Sequence, residues 1–338
     1  ISRMFKSASN FNHPLNNWDV SSVTDMTGLF FGGINTNFDQ PLDNWDVSNI
    51  TNMRSMFQNA EMFNQSINNW DVSNVIDMSG MFRDATSFNQ SLDNWDVSNL
   101  TDMTNMFRDA TSFNQPLDNW DVSNVTEMRG MFRSAHNFNQ LLDNWDVSNV
   151  TNMRTMFYDT ESFNKALNNW DVSSVTDMGL MFLAASSFNQ PLNNWDVSSV
   201  TDMSGMFFLA EIFNKDISSW CVEQIPSEPA DFATDSALQV SFFPDWGAIC
   251  TFSIAENSIK EFKVYPNPVE GKLNLFWSSI NSTDETNIQI YNLTGKEVFE
   301  KSYDQKPSEL DVSQLSKGIY LLKIISGKQS ILKRIVKK

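Results

Sequence analysis

Few side chains that act as nucleophiles, general bases or metal ligands occur in this chain of 338 residues. Its two histidines are His13 and His136, and its two cysteines are Cys221 and Cys250. The sequence has no G-x-S-x-G, H-E-x-x-H or phosphate-binding-loop pattern. Carboxylates are so numerous that no particular pair of them indicates glycoside hydrolysis. We therefore predict a protein that is not an enzyme, with no catalytic, cofactor-binding or metal site.

The charge balance restricts the class of partner. Lys and Arg total 23, Asp and Glu total 41, and the net charge is −18. Because nucleic acid is bound chiefly through Lys and Arg, we expect no nucleic-acid partner. No run approaches the roughly 20 apolar residues of a transmembrane helix. Residues 258–338 differ from the rest, with 13 basic and nine acidic side chains, which predicts a separate C-terminal module.

An internal repeat of 25 residues dominates the first two thirds of the chain. One unit, Phe113 to Asn137, reads FNQPLDNWDVSNVTEMRGMFRSAHN. Repeats of about 20–29 residues are typical of leucine-rich-type solenoids, whose coils bury their apolar sides only by stacking. The apolar spacing predicts a short strand near Leu117–Val122 and a short helical turn near Arg129–Ser134. After a first interval of 27, tryptophan marks the units at Trp18, Trp45, Trp70, Trp95, Trp120, Trp145, Trp170, Trp195 and Trp220.

Stacking turns each position of the repeat into a column of equivalent residues. The Phe, Trp and Met columns could line a ligand groove, but rings bury much area and Met fills gaps well, so we predict that they form the core. The Asn columns, which include Asn114, are predicted to hydrogen-bond from coil to coil.

An acidic column follows the tryptophans and is predicted to face solvent. We expect its carboxylates to accept hydrogen bonds from the V-S-N or V-S-S bend that follows each of them, and bound calcium is the alternative. Arginines occur in the middle coils of this acidic repeat. One exposed arginine patch would favour binding, whereas pairing with neighbours such as Asp84 and Asp109 would favour a passive spacer. The candidate exposed face contains Asp46, Asp71, Asp96, Asp121, Asp146, Asp171, Arg83, Arg108 and Arg133.

The strings W-D-V-S-x-V-T-x-M-x-x-M-F and F-N-Q-x-L resemble the BspA-like leucine-rich-repeat surface proteins of bacteria. The resemblance covers residues 1–220 and implies display at the cell surface and, in some members, adhesion to host or neighbouring cells. It transfers no ligand-binding residue. Ile1–Phe5 aligns with Met78–Phe82, so we expect the first coil to be truncated and an N-terminal portion, with any export signal, to precede it.

The C-terminal residues alternate in polarity, with strands predicted at Lys272–Trp277, Asn287–Leu293, Glu297–Lys301, Gly318–Ile325 and Ile331–Val336. The opening Tyr265-Pro266-Asn267-Pro268, the strings IYNLTGKEV and LSKGIYLLKI, and the closing Lys333-Arg334-Ile335-Val336 look like the C-terminal sorting domain of the type IX secretion system of Bacteroidota. That resemblance implies handling by the type IX secretion machinery and a secreted or cell-surface protein on the exterior of the outer membrane. An ordinary immunoglobulin-like domain would share the strands, but not the YPNP opening.

The two cysteines bracket an irregular segment between these regions. Export implies an oxidising compartment, so we predict a Cys221–Cys250 disulfide, and two buried free thiols are the alternative. The expected organisation is a solenoid over residues 1–220, a cap over 221–251, a linker over 252–261 and the sorting domain over 262–338.

The expected fold is mainly β with short helices. It is a right-handed leucine-rich-repeat-like solenoid of about nine coils, followed by a small antiparallel immunoglobulin-like β-sandwich. The expected function is adhesion to, or binding of, a host or neighbouring-cell protein or glycan. A passive structural spacer or coat module is the alternative.

Overall fold

The structure is a computed structural model that describes residues 1–32, 37–249, 262–277, 286–292, 296–326 and 329–338. The chain divides into two compact units, Ile1–Ile249 and Cys250–Lys338. The linker expected over 252–261 lies outside the described residues, and the boundaries expected for the cap stay a prediction.

In the first unit, consecutive 25-residue coils lie side by side and pair through single parallel β-bridges. Glu127, for example, bridges Asp102 in one neighbouring coil and Asn152 in the other. The bridge column runs from Asp25 to Asp202, and most of its members are acidic. The described part of this unit has no strand longer than such a bridge.

The strand predicted near Leu117–Val122 is therefore wrong. The backbone there bends, because the Trp120 N–H donates to the Leu117 carbonyl at 3.1 Å and the Val125 N–H donates to the Val122 carbonyl at 2.9 Å. The side chains of Leu117, Trp120 and Val122 are nevertheless buried as predicted. Their spacing marks which residues face the core, not an extended backbone.

The helical turn predicted near Arg129–Ser134 is also wrong, and no α-helix occurs among the described residues. Alternate N–H groups of this segment donate to the next coil, as Phe132 does to the Met156 carbonyl at 3.0 Å. The N–H groups between them close i to i−3 turns, as Met131 does to the Met128 carbonyl at 3.2 Å. Gly130 (φ 61°) occupies the third position of such a turn, where a type II turn requires positive φ.

Aromatic rings fill the core of the repeat unit as parallel stacks. Phe132 and Phe138 lie 4.0 Å apart within one coil at 10° between planes, and Phe132 and Phe157 lie 5.8 Å apart in neighbouring coils, also at 10°. Both arrangements suit the offset stacking that aromatic rings prefer. The buried residues of all coils form a single apolar cluster from Leu15 to Leu238.

The parallel ring stack ends after the last coil. Phe232 meets Phe207 edge-on at 89° between planes. It also meets Trp246 edge-on at 81°, with 4.8 Å between the centroids of the Phe232 and Trp246 rings. A short 3₁₀ helix, Val240–Phe242, lies in the same segment. It is the one helix of the described residues, so the expected short helices within the coils are absent from that part of the chain.

The second unit consists of antiparallel strands in two sheets. The three-stranded sheet has the order β1-β2-β5 and the four-stranded sheet has the order β4-β3-β6-β7. The strands are β1 (Phe262–Tyr265), β2 (Lys272–Trp277), β3 (Thr286–Asn292), β4 (Glu297–Tyr303), β5 (Glu309–Asp311), β6 (Gly318–Ser326) and β7 (Gln329–Lys337).

Five of these strands lie where alternating polarity predicts them, whereas β1 and β5 were missed. In β6, Tyr320, Leu322 and Ile324 are buried at every second position and join the core. The missed β5 is only three residues long, with a single buried residue, Leu310, which is too short to produce a recognisable alternation.

Candidate functional site

The predicted acidic column lies at the surface and is held by the bend that follows it. All six predicted members are exposed. In the coil of Asp46, the Ser48 N–H and the Ser48 hydroxyl donate to the same carboxylate oxygen at 3.1 and 2.6 Å. The side-chain hydrogen bond from Ser48 is the main cause that lowers the pKa of Asp46. Hydrogen bonding to the ionised form explains how a row of like charges is tolerated.

The three predicted arginines are half-buried and pair locally. Arg83 Nε lies 3.2 Å from Asp84 Oδ2, and Arg108 Nε lies 3.0 Å from Asp109 Oδ2. Arg133 instead lies over the ring of Tyr158, 4.4 Å from its centroid. The carboxylates that pair with Arg83 and Arg108 thus come from the residues that directly follow them, not from the exposed acidic column.

Asp84 and Asp109 stand in equivalent positions of neighbouring coils. Burial is the main cause that raises the pKa of Asp84, and the negative charge of Asp109 adds to it. Arg83 and Arg108 act in the opposite direction. The four side chains therefore form a locally balanced cluster and not a free basic patch.

A basic cavity of about 500 Å³ lies at the first coils. Arg3, Lys6 and Arg54 line it, together with hydroxyl and amide side chains and the carboxylate of Asp77. Among the described residues none of the three cations forms an ion pair with a carboxylate within 4.0 Å, although the Lys6 ammonium lies 4.9 Å from the ring centroid of Phe31. The sequence analysis did not predict this group of cations. The sequence offered one signal of it: when the coils are aligned, Arg3 takes the position of Gly130 and Lys6 takes the position of Arg133.

Three possible metal ligands converge in the middle coils. His136 Nε2 lies 3.3 Å from Asp159 Oδ2, and one ligand atom from each of His136, Asp159 and Glu161 lies within 4.8 Å of the other two. The sequence analysis predicted no metal site and gave His136 no role. His13, in contrast, is exposed and lies edge-on to the Phe11 ring, with 5.8 Å between the two ring centroids.

Cys221 is disulfide-bonded. Cys250, its expected partner, lies outside the described residues, so the pairing of the two stays a prediction. A loop of about 30 residues closed in this way is stabilised by roughly 3 kcal/mol in the chain-entropy description.

The YPNP segment meets the last strand of the chain. Asn267 donates from Nδ2 to the Arg334 carbonyl at 2.8 Å, and its Oδ1 accepts the Val336 N–H at 2.8 Å. The side chain of Asn267 therefore holds the backbone of β7 on both sides of Ile335, which is fully buried. Tyr265, Pro266, Pro268 and Arg334 are exposed, and Lys333 is half-buried.

The repeat and the tail each match a known family. Residues 1–93, 31–145 and 137–246 match the family described as "Mycoplasma protein of unknown function, DUF285". The chain belongs to this family. Residues 263–338 of the DUF285 chain match a second family, the secretion system C-terminal sorting domain. The comparison of this DUF285 protein with curated proteins finds no match.

The sorting domain indicates the cellular location of the DUF285 chain. A type IX tail directs a protein to the type IX secretion machinery, so this repeat protein is secreted or displayed at the cell surface. None of the helices among the described residues is long and apolar enough to cross a membrane.

Proposed function

We propose that residues 1–220 form a right-handed solenoid of the leucine-rich-repeat type, as in the BspA-like proteins that the repeat resembles. Parallel bridges between equivalent residues such as Asp102 and Glu127 support the proposal, and so does a core that continues from coil to coil. We further propose that the tail is an immunoglobulin-like sandwich. Its support is the shared core to which Leu275 of one sheet and Leu322 of the other contribute.

We propose that this DUF285 protein is a non-enzymatic surface or secreted module that adheres to a protein or glycan bearing anionic groups. The basic cavity of Arg3, Lys6 and Arg54 carries the proposal. A guanidinium presents a planar fork of donors that fits carboxylate or sulfate oxygens. The chain as a whole has a charge of −18. A cavity lined by three cations, none of which forms an ion pair within 4.0 Å among the described residues, is therefore a local concentration of positive charge that an anionic ligand would fit.

The surroundings of the cavity narrow the ligand class. Thr27, Asn52 and Ser55 offer hydroxyl and amide groups that suit the polar groups of a sugar or peptide. Asp77 places a carboxylate in the same lining, which disfavours a dense polyanion. A second cavity of about 120 Å³ shares Arg54 and Ser55, so the ligand surface extends along the coils. We therefore expect spaced acidic groups, as in a uronic-acid glycan or an acidic protein surface.

An array of glycans and host proteins, probed with the full chain at low and high salt, tests the proposal. We expect binding to acidic members that weakens at high salt and is lost in the Arg54→Thr variant. Arg129→Thr is the matched control, because Arg129 occupies the equivalent position of a distant coil and is also exposed. Equal binding by both variants would rule out the cavity as the binding site.

A passive spacer is the second candidate, and a specific observation favours it. Arg83 and Arg108 each pair with a carboxylate of their own coil, and Arg154 pairs with carboxylates of the next two coils. Such pairing leaves fewer free cations for a ligand than the sequence suggests. If the correctly folded full chain binds no member of the array, the result would favour this candidate.

We also propose that the protein works without catalysis and without a cofactor. The hydrogen bonds from Ser48 to Asp46 support hydrogen-bonded bends over a calcium ladder. Equal thermal midpoints with calcium and with a calcium-selective chelator are expected. A higher midpoint in calcium would support the ladder instead.

A further inference from the structure

The cluster of His136, Asp159 and Glu161 combines three ligand types on two neighbouring coils. His136 and Glu161 are equivalent residues 25 positions apart, and Asp159 lies two positions before Glu161. The stacking of the coils therefore brings an imidazole and a carboxylate side by side, with a second carboxylate next to them. Their ligand atoms lie within 4.8 Å of one another.

The other coils provide an internal comparison, because the same three positions recur in each of them. Only this coil pair has a metal-ligating side chain at all three positions, whereas the adjoining pairs replace at least one with Thr, Ser or Ala. Those pairs carry Glu61, Asp84 and Thr86; Thr86, Asp109 and Thr111; Thr111, Ser134 and His136; and Glu161, Ala184 and Ser186. The cluster is thus a local departure from the repeat and not a consequence of it.

The backbone that carries these side chains is fixed by bonds between coils. The His136 carbonyl accepts the Ser162 N–H at 3.1 Å, and the Asp159 N–H donates to the Leu183 carbonyl at 2.6 Å. Next to Asp159, the buried Thr160 hydroxyl donates to the Phe132 carbonyl at 2.8 Å. Such a backbone fixes the Cα positions that carry the three ligands before any ion arrives, which lowers the entropic cost of binding.

The distances suit a small tetrahedral ion. Nitrogen and oxygen ligands bound to zinc at about 2.0–2.2 Å are separated by about 3.4 Å along a tetrahedral edge. His136 Nε2 and Asp159 Oδ2 are 3.3 Å apart. Glu161 is exposed and has a flexible side chain that closes the remaining gap. Arg133, whose cation lies against Tyr158, forms no ion pair with Asp159 among the described residues.

We propose that His136, Asp159 and Glu161 bind a zinc ion that clips two coils together at the surface. Imidazole with carboxylates favours zinc over calcium, which prefers six to eight oxygen ligands. Water completes the fourth coordination position on the solvent side. Because the ion binds only the stacked coils, it stabilises the folded repeat as the zinc concentration rises.

Calorimetric titration of the full chain with zinc chloride tests the proposal. We expect one zinc ion per chain and a thermal midpoint that rises with zinc. His136→Thr places the residue of the two preceding coils at this position, so its fold is expected to persist while zinc affinity falls at least about tenfold. His13→Gln is the matched control and should bind zinc as the unchanged chain does.

Histidine NMR resonances give a second readout that a structural effect would not reproduce. The chain has only two histidines, so zinc should shift one histidine signal, the one that is absent from His136→Thr. Asp159→Asn should weaken zinc binding as well. No zinc binding, equal binding by His136→Thr, or a shift of the His13 signal alone would overturn the proposal.

Discussion

Arg154 Nη1 lies 2.7 Å from Asp202 Oδ2, although the two residues are 48 positions apart and belong to coils that do not adjoin. The guanidinium also lies 3.4 Å from Asp177 in the coil between them. Gly179 makes this reach possible, because a Cβ atom at that position would overlap Arg154 Nη1. One glycine thus lets an ion pair span three coils.

We predict that Gly179→Ala breaks the Arg154–Asp202 ion pair. The side chains of these two residues are 29% and 41% exposed, so the expected loss of stability is small, about 0.2–1 kcal/mol. Urea denaturation of the full chain measures it. In the Asp202→Asn background the same glycine substitution should cost less, and an equal cost in both backgrounds would contradict the role given to Gly179.

A second prediction concerns the tryptophan column. Trp120 is 3% exposed, and its Nε1–H donates to the Leu92 carbonyl of the preceding coil at 3.1 Å. Trp120→Phe removes this hydrogen bond and leaves a small cavity, so we expect a loss of about 2–3 kcal/mol. Trp18, which is 40% exposed, is the matched position: Trp18→Phe should cost less than about 1 kcal/mol. Equal denaturation midpoints for the two variants would argue against the inter-coil hydrogen bond as a source of stability.

The core could be predicted from the sequence because the repeat copies each position into a column. Phe132 and Trp120 are buried as expected, and their equivalents repeat the same environment. The asparagine column was also predictable: Asn114 Oδ1 accepts the Asn139 N–H at 3.0 Å and Gln140 Nε2 at 2.9 Å. Asp39 can replace Asn in this column since it accepts the corresponding bonds from Asn64 and Gln65, which need only an acceptor.

The path of the backbone within each coil could not be predicted in the same way. Apolar spacing reveals burial, but it does not reveal which N–H groups donate to the next coil. Gly130 and Ser134 both have positive φ, which breaks a helix that the apolar spacing alone would allow. Besides glycine, serine, asparagine and aspartate, such positions hold threonine, alanine and leucine, as at Thr155 and Leu180. Their shared conformation therefore becomes visible only after the coils are aligned.

The candidate sites depend on residues that vary between coils, which explains why they were harder to predict. His136 and Glu161 are equivalent positions, so alignment of the columns could have placed them together. Nothing in the spacing indicates that the Asp159 side chain turns toward His136. The same holds for Arg54: that it forms no ion pair with any described carboxylate follows from side-chain placement and not from its position in the repeat.

A third prediction follows from the raised pKa of Asp84. Burial and Asp109 disfavour its charged form, so the folded protein retains this proton to a higher pH than the unfolded chain. Ionisation of Asp84 therefore removes stability as pH rises from about its ordinary value of 3.8 through the raised pKa. Asp84→Asn should be more stable than the unchanged chain at neutral pH, by less than about 1 kcal/mol.

The backbone at this position accepts the substitution. Asp84 has a φ of 58°, and Asn59 occupies the equivalent position with a φ of 59°. The difference in thermal midpoint between the variant and the unchanged chain should shrink as pH falls below the raised pKa. A difference that stays constant between acidic and neutral pH would contradict the assignment.

The last prediction concerns Asn267, the asparagine of the YPNP segment. Its amide bonds both the Arg334 carbonyl and the Val336 N–H, so Asn267→Ala should free the end of β7 and expose Ile335 to solvent. We expect greater amide hydrogen exchange at Val336 and reduced export from a bacterium that has a type IX system. Asn267→Asp keeps the acceptor but loses the donor. Its amide exchange and its export should therefore lie between those of the unchanged chain and those of Asn267→Ala. Full export of the alanine variant, with fast exchange at Val336, would show that secretion does not require a fixed β7.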